Sequence, residues 1–141
     1  MFTSHRKVII EWGDCDPADI VFYPRYFAWF DASTANHFKQ VGLPKPELIR
    51  RFEVIGFPMV DTRASFHIPS SYGDEVTIET RITGFGRSSF TVEHQLLRGD
   101  QLAVEGFEKR VLVRSHPDGK GMKSCPVPKE VMEIFNSGVG S

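Results

Sequence analysis

The chain has 141 residues, 40% of them hydrophobic and twelve of them Phe, enough for one domain with a sizeable core, and no Pro/Gly/Ser-rich linker divides residues 1–141. Seventeen basic residues against eighteen acidic ones give a formal net charge of -1, which argues against a sequence-independent grip on nucleic acid or on an anionic membrane. Cys15 and Cys125 form neither a CxxC pair nor a disulfide framework. With no charged-then-apolar leader and no apolar run near the roughly 18 residues of a membrane span, the expectation is a soluble cytoplasmic protein. A domain this small leaves apolar surface uncovered unless it self-associates, so a homo-oligomer is expected.

In chain order, "HRKVIIEW" reads as a strand. Pro24 suits the first turn of a helix, and Phe27, Phe30, Thr34, Phe38 and Val41 recur at spacings of three and four before Gly42, a natural C-terminal stop. The Pro-punctuated "LPKPELIRRFEVIGFP" holds a short second helix, after which the pattern turns to period two. Val76, Ile78, Thr80 and Ile82 share one face of a strand, and Phe90, Val92, His94 and Leu96 share one face of the next. "RGDQ" signals a hairpin turn, and Gly106 marks a bulge, because apolar parity shifts there from Leu102 and Val104 to Phe107, Val111 and Val113. A last short helix begins near Pro128, and the Gly/Ser-containing terminus is expected to fray.

One strand, one long aromatic helix and then several antiparallel strands define an α+β domain. The helix is apolar around much of its circumference, and a strongly curved sheet wrapped around it is the simplest packing that buries it. This is the hot-dog architecture.

Between the first strand and the helix lies "EWGDCDPADIVFYPRYFAWFDAST", where Glu11, Asp14, Asp16 and Asp19 crowd together with no basic residue before Arg25. A calcium-binding loop starting at Asp14 would need Gly at Asp19 and Glu at Arg25, so that frame fails and no metal is expected. The plain alternative is that Asp16-Pro17 initiates a turn and one aspartate accepts backbone N–H bonds at the helix start. The chemical alternative uses the same place differently. A carboxylate beside the unpaired N–H groups of a helix N-terminus has both the group that attacks, or activates water, and an amide that stabilises an oxyanion, the minimum for acyl transfer. A thioester suits so small a site, since its carbonyl is electrophilic and a thiolate leaves readily.

The stretch "GDCDPADIVFYPRYFAWFDAST", followed by "GLP", "ASF", "SYGDEVTIET" and "RSSF", resembles the 4-hydroxybenzoyl-CoA thioesterase family of hot-dog enzymes from about Ile9 to Val113. The resemblance implies that Asp16, the second aspartate of the Asp-x-Asp pair, is the catalytic carboxylate and that the backbone N–H of Tyr23 binds the thioester carbonyl. It implies acyl-CoA as substrate and no cofactor, coenzyme A being part of the substrate. It also implies a homotetramer built from dimers, with active sites shared between subunits. Three departures bear on the substrate. Asp19 stands where the family commonly has Gly, losing an easy positive φ and adding charge near Asp16, although aspartate tolerates left-handed geometry better than most residues. Pro46 stands where hydroxybenzoyl-specific members carry Trp. The basic cluster that holds the CoA phosphates in some members is reduced to Arg87 followed by Ser88 and Ser89.

Phe27, Phe57 and Met59, with Trp29 and Phe30, offer bulky walls for a compact, aromatic acyl group. Asp31 is a candidate to hydrogen-bond a polar acyl substituent, against the plainer reading of a solvated helix face. His67 and His94 read as packed or interfacial strand residues, Cys15 as a small packed residue with no base beside it, and "KGMK" as a solvated loop. The expected activity is hydrolysis of a benzoyl- or hydroxybenzoyl-type acyl-CoA. The alternatives are a short-chain aliphatic acyl-CoA thioesterase and a non-catalytic acyl-CoA-binding module. A His-dependent hot-dog hydratase fits less well, because the loop offers Asp.

Overall fold

In a computed structural model that describes residues 2–137, the chain runs β1 (Ser4–Ile9), a 3-10 turn (Trp12–Asp14), α1 (Pro24–Gln40), α2 (Lys45–Phe52), β2 (Met59–Phe66), β3 (Glu75–Phe85), β4 (Ser89–Arg98), β5 (Gln101–Val111), β6 (Val113–Ser115), β7 (Met122–Ser124) and α3 (Lys129–Ser137). Five strands form one antiparallel sheet in the order β1-β3-β4-β5-β2, and β6 pairs with β7 alone. The expected hot-dog architecture is therefore the one that forms. The frayed terminus expected from sequence lies, after Ser137, outside the described residues.

Helix α1 begins at Pro24, whose fixed φ and missing N–H suit a first helical position. It ends where Gly42 takes φ +83°, with Gly42 N–H donating to Lys39 O (3.0 Å) and Leu43 N–H to Phe38 O (2.9 Å), the paired bonds of a Schellman stop. Its buried face is Tyr26, Phe30, Ser33, Thr34, His37 and Phe38. The sheet reaches that face from three strands: Ser4 of β1 bonds His37, His94 of β4 stacks on Phe30, and Gly106 of β5 lies against the same Phe30 ring.

The period-two expectations for β3 and β4 hold. Val76, Ile78, Thr80 and Ile82 are all buried, as are Phe90, Val92, His94 and Leu96. The turn between β4 and β5 is the two residues Gly99 and Asp100, with Arg98 paired to Gln101.

The bulge is not at Gly106. The β4–β5 register slips between Leu96 and Leu97, and Gly106 sits in unbroken pairing, opposite His94 on one side and Ala64 on the other. Its glycine has a packing cause: a Cβ there would lie 2.6 Å from Cε2 of Phe30. Besides Ala103 at the slip, the buried residues of β5 are Val104, Gly106, Glu108 and Arg110 at period two, so its inner face ends in charged residues where apolar parity predicted the opposite face. "KGMK" is not wholly loop either, since Met122 and Lys123 belong to β7.

The core has two apolar clusters. Ile10, Val21, Tyr26, Phe30, Ile78, Leu96 and Val104 pack around the first half of α1, and Phe38, Leu43, Leu48, Phe57, Phe90, Leu112 and Phe135 around the second. Each fully buried Leu, Ile or Phe contributes about 1.5–3 kcal/mol. Between the clusters runs a polar layer. Thr34 donates to Glu108 Oε1 (2.6 Å), Thr80 lies 2.8 Å from His94 Nδ1, His94 Nε2 lies 3.2 Å from Glu108 Oε2, and Arg110 Nε donates to Glu108 Oε1 (2.9 Å). Hydrogen bonds from His94 and Arg110 outweigh the burial of Glu108 and hold its carboxyl below the usual range.

Candidate active site

The four carboxylates between β1 and α1 have separate duties. Asp14 closes a capping box with Glu11: the Glu11 N–H donates to Asp14 Oδ2 (2.9 Å), and Arg25 Nε stands 3.8 Å from Asp14 Oδ1. Asp14 also receives the Phe22 N–H on its backbone oxygen (2.8 Å), which ties the 3-10 turn to the entry of α1. Asp16 Oδ1 accepts the Ala18 N–H (2.8 Å), the side-chain-to-backbone turn that Asp-Pro predicts, and this leaves its second oxygen free of described partners. Asp19 donates its N–H to Asp16 O (2.9 Å) and takes φ +64°. The left-handed turn therefore survives without glycine, aspartate being one of the few side chains that tolerate it.

The loop returns as a narrow pair, with Asp16 N–H donating to Ile20 O (2.9 Å) and Cys15 bridged to Val21. Val21 N–H is held by Ser70 O (2.9 Å), so the segment lies against the chain entering β3. At the helix entry, Arg25 N–H turns back to Phe22 O (2.9 Å) and Tyr26 N–H to Tyr23 O (3.1 Å). The N–H of Tyr23 has no acceptor among the described residues. It is an open donor at the positive end of a helix of 17 residues.

Two cavities flank this segment. One, of about 440 Å³, is lined by Trp12, Cys15, Asp16, Asp19, Ser71 and Tyr72. The other, of about 330 Å³, is lined by Ile20, Tyr23, Tyr26, Phe66, His67 and Ile68. Asp16 thus lines the first cavity and Tyr23, with Ile20 and Val21, the second.

The remaining sequence candidates are dispersed. Phe27 is half-buried and faces Phe66, with ring centroids 6.5 Å apart, beside the Tyr23 cavity. Phe57 lines neither cavity; its ring is buried in the core, stacked on Phe38 at 4.8 Å. Met59 opens β2 opposite Arg110. Asp31 is exposed, and Arg110 donates to its Oδ1 (2.7 Å), so it is neither a free acceptor nor simply solvated. Arg87, Ser88 and Ser89 lie at the β3–β4 turn, whereas Asp74, at the start of β3, bonds Ile10 beside the acidic loop. The 11 residues of β3 separate these ends by roughly 33 Å at about 3.3 Å per residue.

His94 is packed, as expected, and His67 pairs with Glu105 at 3.1 Å on the surface. Cys15 Sγ points at Glu11 O (3.8 Å). Among the described residues no group of His, Cys, Asp and Glu is arranged to hold a metal ion. Sequence reasoning missed Trp12 and Tyr72, although both lie inside quoted stretches, and missed Glu108 and Arg110, which a strand register alone could have turned inward.

The sequence profile of the thioesterase-like superfamily matches residues 10–135. A 4-hydroxybenzoyl-CoA thioesterase from Pseudomonas sp. (strain CBS-3) is 39% identical over 132 residues, covering 89% of this chain and 92% of that enzyme. A crystal structure of an Asp-to-Asn variant of 4-hydroxybenzoyl-CoA thioesterase, complexed with 4-hydroxybenzoyl-CoA, superposes with a TM-score of 0.88 at 35% identity, over 96% of this chain and 99% of that one. A gentisyl-coenzyme A thioesterase superposes with a TM-score of 0.80 at 32% identity, over 94% and 99%.

Proposed function

The chain belongs to the thioesterase-like superfamily, and on that premise we propose that it hydrolyses a compact aromatic acyl-CoA of the benzoyl or hydroxybenzoyl type, with Asp16 as the reacting carboxylate. The observation that carries this reading is the pairing, on one loop-to-helix segment, of a carboxylate oxygen without a partner and the open N–H of Tyr23. A thioester held where the two cavities approach one another presents its carbonyl oxygen to that N–H and its carbonyl carbon to Asp16. Attack at the carbon, by the carboxylate or by water it deprotonates, puts negative charge on the oxygen where the amide and the helix end stabilise it. Collapse expels the CoA thiolate, which takes up a proton; where the carboxylate itself attacked, water then cleaves the mixed anhydride, releasing the free acid and restoring Asp16. No cofactor enters these steps, and the proposed setting is the cytoplasm; no described helix is long and apolar enough to cross a membrane. The relative trapped with 4-hydroxybenzoyl-CoA as an Asp-to-Asn variant supports a carboxylate as the group turnover needs.

The proposal includes a homo-oligomer. Strand β2 is an unpaired edge that exposes Val60 and Phe66. Two copies paired antiparallel through β2 would set the start of one strand beside the end of the other, bringing the partner's Met59 next to the Phe66 and His67 wall of the Tyr23 cavity. In this reading a neighbour supplies Arg87, Ser88 and Ser89 to the CoA phosphates, since each chain holds its own at the far end of β3. Dimers of such dimers make the expected tetramer.

Assay of free-thiol release from benzoyl-, 4-hydroxybenzoyl-, acetyl- and palmitoyl-CoA tests the reading. Aryl esters are expected to give the highest kcat/KM, because a rigid ring loses less rotamer freedom on entering a small pocket than a long chain does. Asp16→Asn keeps the acceptor for the Ala18 N–H and should lower turnover by about two orders of magnitude or more while leaving the fold intact. Wild-type turnover in that variant, or a preference for palmitoyl-CoA, contradicts the mechanism or the substrate class respectively.

A further inference from the structure

Trp12 and Tyr72 are 76% and 60% exposed, yet they stand edge to face, 5.7 Å between ring centroids and 70° between planes, on the wall of the Asp16 cavity. Both are rigidly based. Trp12 sits in the capped 3-10 turn, and Tyr72 sits in a turn closed by Ser71 N–H to Asp74 Oδ2 (2.9 Å) and by Gly73 N–H to Ile10 O (2.9 Å). The same wall carries Ser71 and the carboxylate of Asp19, which has no partner among the described residues. The neighbouring Tyr23 cavity is different in kind, with hydrocarbon and ring surfaces from Ile20, Tyr26, Phe66 and Ile68.

A thioester whose carbonyl meets both Asp16 and the Tyr23 N–H reaches both cavities, one with each end. An aryl acyl group has apolar faces and fits the hydrocarbon side. The thiol arm of coenzyme A next to the sulfur is uncharged, with two amides whose N–H groups need acceptors and whose carbonyls need donors. Asp19 supplies an acceptor, the hydroxyls of Ser71 and Tyr72 supply donors, and the two rings cover the methylenes. The negative charge of Asp19 disfavours phosphate at this position, so the nucleotide must continue outward. We propose that Trp12 and Tyr72, with Asp19 and Ser71, form the recognition site for the pantetheine arm of the thioester. The proposal rests on Asp16 as the reacting carboxylate, and it makes Trp12 and Tyr72 determinants of the thiol half of the substrate rather than of the acyl half. The clamp is formed before substrate arrives, so little ordering opposes binding.

The test compares benzoyl-CoA, acetyl-CoA and the benzoyl thioester of 2-mercaptoethanol, which lacks both amides, in wild type, Trp12→Leu and Tyr72→Leu. The expected result is a loss of about tenfold in kcat/KM for both CoA esters and little change for the mercaptoethanol ester. Equal loss for all three esters, or loss that follows benzoyl against acetyl, overturns the proposal; so does a changed sedimentation coefficient with unchanged selectivity, which would make the pair a contact between copies. A binding measurement stands independently of these variants. In Trp29→Phe, Trp12 is the sole tryptophan, and pantetheine should shift its fluorescence saturably while benzoate does not; the reverse overturns the assignment. Asp16→Asn separates the two readings, since retained turnover there removes the mechanism while the pantetheine titration still reports on the clamp.

Discussion

At the scale of single residues, the acidic loop shows how the same side chain takes different duties a few positions apart. Asp14 is engaged by the Glu11 N–H and Arg25, Asp19 holds a left-handed turn and brings to the cavity a carboxylate without a partner among the described residues, and Asp16 has one oxygen fixed by the Ala18 N–H and the other free on that cavity. The Asp-Pro turn and the helix start were legible, because they follow from local backbone chemistry. The placing of Asp16 and Tyr23 on neighbouring cavities was not, since it depends on Ser70, far along the chain, holding the Val21 N–H. Gly106 makes the same point inside the core. From sequence it reads as backbone freedom, but its role is to leave room for Phe30. Gly106→Ala should therefore destabilise the protein by about 1–3 kcal/mol, as overpacking does, with the change measured by urea unfolding. A neutral result would mean that Phe30 moves aside at no cost.

At the scale of elements, the layer between α1, β4 and β5 is the part of the fold least visible beforehand. Patterning finds apolar stripes, so Val76 to Ile82 and Phe90 to Leu96 were placed correctly. It fails on β5, where unbroken pairing through Gly106 keeps Glu108 and Arg110 on the inner face with Val104. The side chain of Glu108 is 1% exposed and that of Arg110 5%, and each is supported by further bonds: Thr34 on Glu108, Asp31 and the Phe57 carbonyl on Arg110. Removing one partner of a buried pair leaves the other charge stranded. Arg110→Met should cost about 3–5 kcal/mol, and adding Glu108→Gln should recover part of that loss, because an uncharged amide is less expensive to bury than a lone carboxylate. A double variant less stable than Arg110→Met would show that the charge of Glu108 is held by Thr34 and His94 alone.

For the molecule as a whole, pH acts through His37. Its ring is 1% exposed, stacked between Phe2 and Phe135 and bonded to Ser4 Oγ at 2.6 Å. Burial, with a smaller contribution from His94, lowers its pKa from 6.5 to about 4. The native state thus holds His37 neutral while the unfolded chain takes up a proton below pH 6.5. Stability is complete above that value and declines as pH falls toward 4. Between pH 7 and pH 5 the expected loss is about 2 kcal/mol, before the lowered carboxyl of Glu108, whose contribution fades only below the usual carboxylate range, begins to count. Thermal unfolding at the two pH values should show this loss in wild type and a smaller one in His37→Phe. The length of β3 has a different consequence. If the Asp16 loop of one chain and the Arg87 turn of another must meet on a single substrate molecule, the working catalyst is a stoichiometric species rather than a polypeptide, and its abundance obeys mass action. Specific activity toward a CoA ester should then be a property of protein concentration, flat when the enzyme is abundant and falling on dilution through the dissociation midpoint. Activity that persists undiminished once the subunits have separated would place every necessary group within one chain.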